Sequence, residues 1–294
     1  MKSTKNTALE PCGVVVVDKP AGMTSFDVVA RMRRIYGTRR VGHTGTLDPD
    51  ATGVLVVLVG RAAKAAEYIT VGEKQYMATL RLGITTDTED VTGEVLTEST
   101  DIPDAAAVIA AAESFRGEYM QIPPMYSALK RDGEKLVDLA RRGITVEREA
   151  RRVEIYSLVC EKLTDTDYAL NVTCSHGTYI RTLCADIGAK LGCGGCMASL
   201  RRGQTGGFTL ADAATIGTIS DAPAAHLLPT ESLFSSLPSE IFTGKRKHAI
   251  RNGVAVPVSG YKNGDRIRLF DDEGFFGLGE VKGGTVKCIK FFVL

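Results

Sequence analysis

The residues best placed to do chemistry lie in one run, Gly42-His43-Thr44-Gly45-Thr46-Leu47-Asp48-Pro49-Asp50-Ala51-Thr52-Gly53, which leads into the apolar stretch Val54 to Val59. Its glycines and proline exclude a helix, and the apolar residues that follow read as a buried strand. Asp48 is thereby put on a tight loop at the mouth of a strand. Taken alone, Asp48-Pro49 is a turn, and Thr44, Thr46 and Thr52 offer short hydroxyls that can bond the local backbone and hold it. His43, five residues before Asp48, admits either an acid-base pair or a metal ligand set. A metal is disfavoured, because the four histidines (His43, His176, His226, His248) include no pair at ligand spacing. Cys193-Gly-Gly-Cys196 is the one pair with the form of a metal knuckle or redox motif, but no second such pair completes a zinc site, so it reads as structural.

The elements that must carry these residues read as α+β. Val14 to Val17 is a strand, and Thr24-Ser25 can cap a helix from Phe26 to Tyr36 that stops at Gly37. After Val54 to Val59, Gln75 to Leu82 alternates with Tyr76, Ala78, Leu80 and Leu82 on one face. Asp104 to Phe115 is alanine-rich and helical, and Pro123-Pro124 opens an excursion rich in basic residues. Arg152 to Leu163 and Asp167 to Ser175 return as strands, followed by a helix from Thr178 to Leu191 stopped by Gly192. Strands joined by such unlike connections, with no βαβα regularity, argue against a doubly wound parallel sheet. Beyond Leu210, prolines punctuate an irregular stretch, and Ser239 to Leu294 breaks into short apolar runs separated by glycines, a small β-rich unit.

Length and composition narrow the class. At 294 residues and 44% hydrophobic, the chain can bury a substantial core in one large or two ordinary domains. No apolar run approaches membrane-spanning length, and Met1 to Pro11 is a polar tail without an apolar signal core, so a cytoplasmic, soluble protein is expected. The odd count of seven cysteines points to reduced thiols rather than a disulfide framework. Net charge is only +1, yet the charge is segregated: Arg31 to Lys64 and Pro123 to Arg152 are basic, and the intervening Val71 to Glu118 is acidic. Basic segments flanking an acidic one suit a polyanion that touches one face.

The Asp48 run resembles, nearly residue for residue, the catalytic loop of the TruB-type tRNA pseudouridine synthases, in which this Asp is the essential carboxylate. Other segments match in family order: Val17-Asp18-Lys19-Pro20-Ala21-Gly22-Met23-Thr24-Ser25, Lys74-Gln75-Tyr76, Arg81-Leu82-Gly83 with Thr85 to Thr88, Gln121 to Lys130, Gly177-Thr178-Tyr179-Ile180-Arg181, and Leu200-Arg201-Arg202. The resemblance implies the pseudouridine synthase fold, a mixed, largely antiparallel central sheet flanked by helices. It divides the chain into the tail 1–11, a catalytic domain 12–237 with a tRNA-clamping insertion at 123–152, and a C-terminal PUA-like RNA-binding domain at 238–294.

The implied reaction is isomerisation of uridine to pseudouridine at position 55 of the tRNA T loop. The bond from nitrogen 1 to the sugar breaks, the base turns, and carbon 5 rejoins the sugar, with no redox change, group donor, cofactor or metal. Asp48 supplies the carboxylate, by attack on the anomeric carbon or by assisting elimination to a glycal. Arg181 fits as the partner that favours the charged carboxylate and orients it through two donors. Tyr76 maps to the active-site tyrosine, whose ring can stack on uracil and whose hydroxyl can accept a proton. Tyr179 and Leu200 map to the pocket, with Leu200 packing against the base. A uridine within a folded loop must be flipped out, and His43 maps to the histidine that fills the gap. Lys19, Pro20 and Lys64 are assigned to loop support and phosphate contact, and Lys130, Arg141 and Arg202 to substrate binding.

The chain departs from the family pattern at Val137, where tyrosine is usual, at Gly203, where threonine is common, and at Cys196. The first departure falls in the insertion and bears on binding strength. A monomer acting on the tRNA T stem-loop without guide RNA is the expectation. The rivals are a tRNA-binding or tRNA-folding protein of the same fold, and a synthase with another RNA target.

Overall fold

A computed structural model of the chain describes residues 10–69 and 72–292, so most of the tail expected over 1–11 lies outside the described residues. In chain order, strand β1 (Gly13–Lys19) leads to helix α1 (Ser25–Ile35), then β2 (Val41–His43), β3 (Thr52–Val59) and β4 (Lys74–Leu82). A small hairpin of β5 (Ile84–Thr86) and β6 (Val95–Glu98), helix α2 (Ala105–Glu113) and β7 (Gly117–Gln121) follow. Next come β8 (Lys130–Arg131), β9 (Glu134–Lys135) and α3 (Leu136–Ala140), then the long pair β10 (Arg151–Lys162) and β11 (Asp167–Cys174). Helix α4 (Ile180–Leu191), β12 (Gly195–Thr205) and β13 (Phe208–Thr209) complete the sheet, and α5 (Ile216–Asp221) packs beside β1.

The main sheet has nine strands in the order β1-β3-β12-β4-β11-β10-β7, with β2 on β3 and β13 on β12. Every ladder is antiparallel except β3 with β12, which pair in parallel at Thr52/Arg201 and Gly53/Arg202. The sheet is therefore mixed and largely antiparallel, as expected from sequence. Its single parallel contact lies beneath the Asp48 loop.

Local chemistry explains the elements. Thr24 caps α1 through a reciprocal capping box with Asp27, and Gly37 (φ 62°) follows its last turn. In β4 the alternation holds, with Tyr76, Ala78, Leu80 and Leu82 buried against α2 and α4. Helix α4 ends on Gly192 in the left-handed conformation. One core cluster is built from β4, β11 and α4, and another from β1, β3 and α1 through Val15, Val17, Val28, Val29, Met32 and Leu55. Leu200 packs against both.

The insertion folds around its own small core of Met125, Leu136 and Leu139. Its tip is an Asp132-Gly133 hairpin turn with φ positive at both residues. That dipeptide is a strong hairpin signal, and the sequence reading passed over it.

The C-terminal unit is a five-stranded sheet made of β14 (Ser239–Ile241), β15 (Val256–Pro257), β16 (Arg266–Asp271), β17 (Gly274–Lys282) and β18 (Thr285–Phe291), with helix α6 (Gly244–Arg251). It has its own core around Phe242, Ile250, Leu269 and Phe276. A second apolar cluster, Ala65, Phe234, Leu278 and Phe292, joins it to the main sheet, and Lys290 pairs with Glu67 at 2.6 Å. Among the described residues no helix is long and apolar enough to cross a membrane.

Candidate active site

The Asp48 loop is held from outside by three buried side chains. Ser25 donates its hydroxyl to Leu47 O at 3.1 Å and accepts from Leu47 N at 2.9 Å. Lys19 is fully buried, and its ammonium meets three backbone carbonyls, Pro20 O at 2.8 Å, Met23 O at 2.7 Å and Pro49 O at 2.8 Å. Arg202, also fully buried, donates Nε to Val54 O at 2.8 Å, Nη1 to Thr46 O at 3.2 Å and Nη2 to Gly45 O at 3.1 Å. These contacts fit the loop-support half of the Lys19 assignment and correct its phosphate-contact half, and they correct the assignment of Arg202 to substrate binding. An ammonium has three protons, all of Lys19's are directed at carbonyls, and neither residue presents surface to a phosphate.

The expectation that threonine hydroxyls hold the loop is likewise replaced. Thr52 Oγ1 instead accepts from Arg201 Nη1 at 3.3 Å, and Arg201 also pairs with Asp18 at 2.8 Å. Gly53 (φ +100°) lies so close to β12 that a Cβ there would sit 2.2 Å from Arg202 O, so this position requires glycine.

We expect Arg202→Met to lower stability by about 2–4 kcal/mol, because two loop carbonyls and one of β3 lose a buried charged donor. It should also reduce turnover at saturating RNA by loosening Asp48. Thermal melting and saturating rates check both; a variant as stable and as active as the parent would remove Arg202 from this role.

Asp48 meets Arg181 at one nitrogen. Arg181 Nε lies 3.0 Å from Asp48 Oδ2 and 3.9 Å from Asp90 Oδ2. The terminal nitrogens go elsewhere, Nη1 to Thr88 O at 3.1 Å and Nη2 to Tyr126 O at 2.8 Å. The two-donor fork expected between this pair is thus a single contact, since the other donors are taken by carbonyls of the β5–β6 hairpin and the insertion. The Arg181 side chain is 6% exposed and that of Asp48 40%, so the cation is walled in and the carboxylate stays open to a substrate.

Two positioning residues escaped the sequence reading. Asp90 gathers Thr88 and Thr92 through Oδ1, at 2.8 Å and 2.6 Å from their hydroxyls, and so shapes the hairpin that holds Arg181. Gln121, buried, accepts from Tyr179 N at 2.8 Å and donates to Tyr179 O at 3.0 Å, clamping the residue that opens α4. A polar residue just before Ile-Pro-Pro was the available signal.

Tyr76 is 7% exposed on β4, directly opposite Arg202 in the β4–β12 ladder, with Leu200 opposite Ala78 on the same face. Burial pushes its phenol up, against a smaller pull down from the Arg202 guanidinium, so it is neutral at pH 7. A buried neutral phenol takes up a proton only as it passes its own on. His43 is held neutral by burial, aided by the nearby Arg202 charge, and its Nδ1 is buried without a partner. Its ring stands edge-on to Phe26 with centroids 5.6 Å apart.

Pro20, Lys64, Lys130 and Arg141 are exposed on separate surface segments, Pro20 beside the Asp48 loop, Lys64 past the far end of β3, and the last two in the 123–152 segment. Lys64 shares a shallow basic depression with Arg39, Arg40 and Arg61. Cys193 and Cys196 are buried thiols raised by burial, Cys196 to about 11. The glycines between them serve packing, since a Cβ on Gly194 (φ +78°) would lie 2.8 Å from Thr85 Cγ2 and one on Gly195 3.0 Å from Cys184 O of α4.

Lys74, at the start of β4, is 8% exposed, and its ammonium is lowered to about 8, first by burial and then by Arg202. A lysine depressed in the folded state binds fewer protons there than in the unfolded chain above its folded pKa, so its contribution to stability rises with pH from about 8 toward its ordinary value of 10.5. The stability difference between the parent and Lys74→Met should therefore shift by about 2 kcal/mol in the parent's favour between roughly pH 8 and pH 10. Paired denaturant titrations measure it; a flat difference would show that Lys74 is not desolvated.

The sequence profile described as TruB family pseudouridylate synthase (N terminal domain) matches residues 33–180, and that described as tRNA pseudouridylate synthase B C-terminal domain matches 181–235. Among curated proteins, tRNA pseudouridine synthase B of Clostridium kluyveri is 40% identical over 287 residues, covering 96% of this chain and 99% of that protein. The protein of the same name from Geotalea uraniireducens is 44% identical over 267 residues, covering 89% and 86%. Among solved structures, a chain of a Cbf5–Nop10–Gar1 complex superposes with a TM-score of 0.73 at 26% identity, covering 96% of this chain and 85% of that one. With matched profiles spanning 33–235 and 40% identity across nearly the full length of a curated relative, the chain belongs to the TruB family of pseudouridine synthases.

Proposed function

We propose that this enzyme isomerises uridine to pseudouridine at position 55 in the T loop of tRNA. The observation that carries the reading is the Asp48 carboxylate, open to solvent, on a loop locked by Lys19, Ser25 and Arg202 and held 3.0 Å from the walled-in Arg181. The curated relatives named tRNA pseudouridine synthase B supply the substrate class.

In this reading Asp48 acts on the detaching sugar or base, either by attack at the anomeric carbon or by assisting elimination to a glycal. Arg181 keeps the carboxylate aimed. The free uracil is retained between the ring of Tyr76 and the apolar side chain of Leu200, with Tyr179 at the pocket edge. Tyr76 relays the proton that leaves carbon 5 after the new bond forms, taking it up as it gives up its own, so that in balance carbon 5 loses a proton and nitrogen 1, released from the sugar, gains one. Neutral His43 fills the space from which the uridine was flipped, a role that suits an uncharged ring better than a cation surrounded by other cations. Lys64, Lys130 and Arg141 remain the phosphate-contact candidates, and Pro20 a loop contact. The division into a catalytic unit 12–237, a clamping insertion 123–152 and a PUA-like RNA-binding unit 238–294 is part of the same reading. Because Phe234 and Ala65 share a core with the last unit, its role is better tested by neutralising its surface lysines than by truncation.

Relatives named tRNA pseudouridine synthase B that match over nearly their full length favour action on tRNA, and independence of a guide RNA is part of the same reading. The test compares initial rates on unmodified tRNA transcript, an isolated T-arm hairpin, and a hairpin with a scrambled loop that retains the target uridine, with pseudouridine mapped by position. Transcript and hairpin should be modified at position 55 and the scrambled loop scarcely at all. Equal rates on the scrambled loop, or modification elsewhere, would overturn the reading. Higher salt should weaken binding without moving the modified position.

A further inference from the structure

We propose that Phe26 is a second aromatic contact for the RNA, its ring stacking on a loop nucleobase displaced when the target uridine is flipped, so that Phe26 and His43 form one corner. This rests on the reading of the site as one that acts on a looped RNA.

Phe26 is 69% exposed, more than any other large apolar side chain among the described residues. Helix α1 has no packing use for it, because that helix docks through Val28, Val29 and Met32. Yet the backbone around it is fixed on both sides. The Thr24–Asp27 capping box closes the turn, with Asp27 N to Thr24 Oγ1 at 3.1 Å and Thr24 N to Asp27 Oδ2 at 2.9 Å. The preceding residue, Ser25, is buried and clasps Leu47, the neighbour of Asp48. Phe26 is thus an apolar ring held out to solvent on the same anchor that positions the carboxylate. It meets His43 edge to face, at 5.6 Å and 81°. That geometry leaves two rings roughly perpendicular, the walls of a corner into which a flat base can pack. Arg33 and Arg34, exposed on α1 seven and eight residues on, lie along the same side of the helix. An exposed aromatic beside basic residues is the arrangement by which proteins hold unpaired bases, whose faces stack and whose phosphates need cations.

The chain contains no tryptophan, so Phe26→Trp creates a single fluorescent reporter at this position. Its emission should be quenched when a T-arm hairpin saturates the protein. The quench should be lost with a hairpin made abasic at the loop positions other than the target. Leu163→Trp, 57% exposed between β10 and β11 at the end of the sheet away from Tyr76, should give no comparable quench. Phe26→Ala should lower kcat/KM on the hairpin about tenfold, and Phe26→Tyr should restore it, with melting temperatures unchanged. The proposal is overturned if Phe26→Ala stays within about twofold of the parent, or if the emission of the Phe26→Trp variant does not respond to bound hairpin or responds equally to the abasic one. Failure of the parent to isomerise the hairpin would instead count against the proposed function, since the fluorescence arm needs binding and not turnover.

Discussion

Asp48→Asn is expected to abolish pseudouridine formation, lowering the single-turnover rate by at least about a thousandfold, while RNA affinity stays within about tenfold. Asparagine keeps the shape and can still lie against Arg181, whose Nε is 3.0 Å from Asp48 Oδ2, so the loop held by Lys19, Ser25 and Arg202 should not move. What disappears is the anion, and with it both available routes, since neither attack on the anomeric carbon nor proton removal from the sugar is open to an amide. Binding, melting temperature and single-turnover rate measured on one preparation separate these effects. Turnover by the Asn variant near the parental rate would remove Asp48 from the chemistry.

Tyr76→Phe is expected to leave binding nearly unchanged and to slow the chemical step by about a hundredfold or more, the usual worth of a positioned proton carrier. The ring keeps its apolar packing with Ala78 and Val172, and only the hydroxyl is lost. Because burial raises the phenol, the parental rate should not fall as pH drops from 9 to 7 through loss of a resident phenolate. Rapid-quench rates across that range test both statements. A Phe variant with the parental rate would confine Tyr76 to stacking, and a rate that climbed with pH only in the parent would mean that the phenolate is the working form.

Short-range patterns carried much of the fold into the sequence. The two-residue alternation of Tyr76 to Leu82, the Thr24 cap and the Gly192 stop depend on residues near one another in the chain, and each appears where its pattern put it. The Asp132-Gly133 hairpin was equally local and was passed over. Asp48 and Arg181 could be named from motif resemblance, but a motif says which residues belong to a site and not how their donors are spent. Arg181 was read as a fork on Asp48, whereas two of its nitrogens serve carbonyls from segments 93 and 55 residues away.

The amino-acid sequence by itself determined the α+β class, which follows from chain-local periodicity, and its short motifs carried the resemblance that pointed to the family and to the acidic loop. The tertiary structure alone decided which charges face RNA and which face the protein. Lys19 and Arg202 look, in a string of letters, like any basic residue available to a phosphate. Burial turns them inward, since a cation taken out of water must find acceptors, and those nearest are the carbonyls of the Asp48 loop. Phe26 is the converse case, an apolar residue that the spacing of α1 leaves outside the core and that the fold sets against His43.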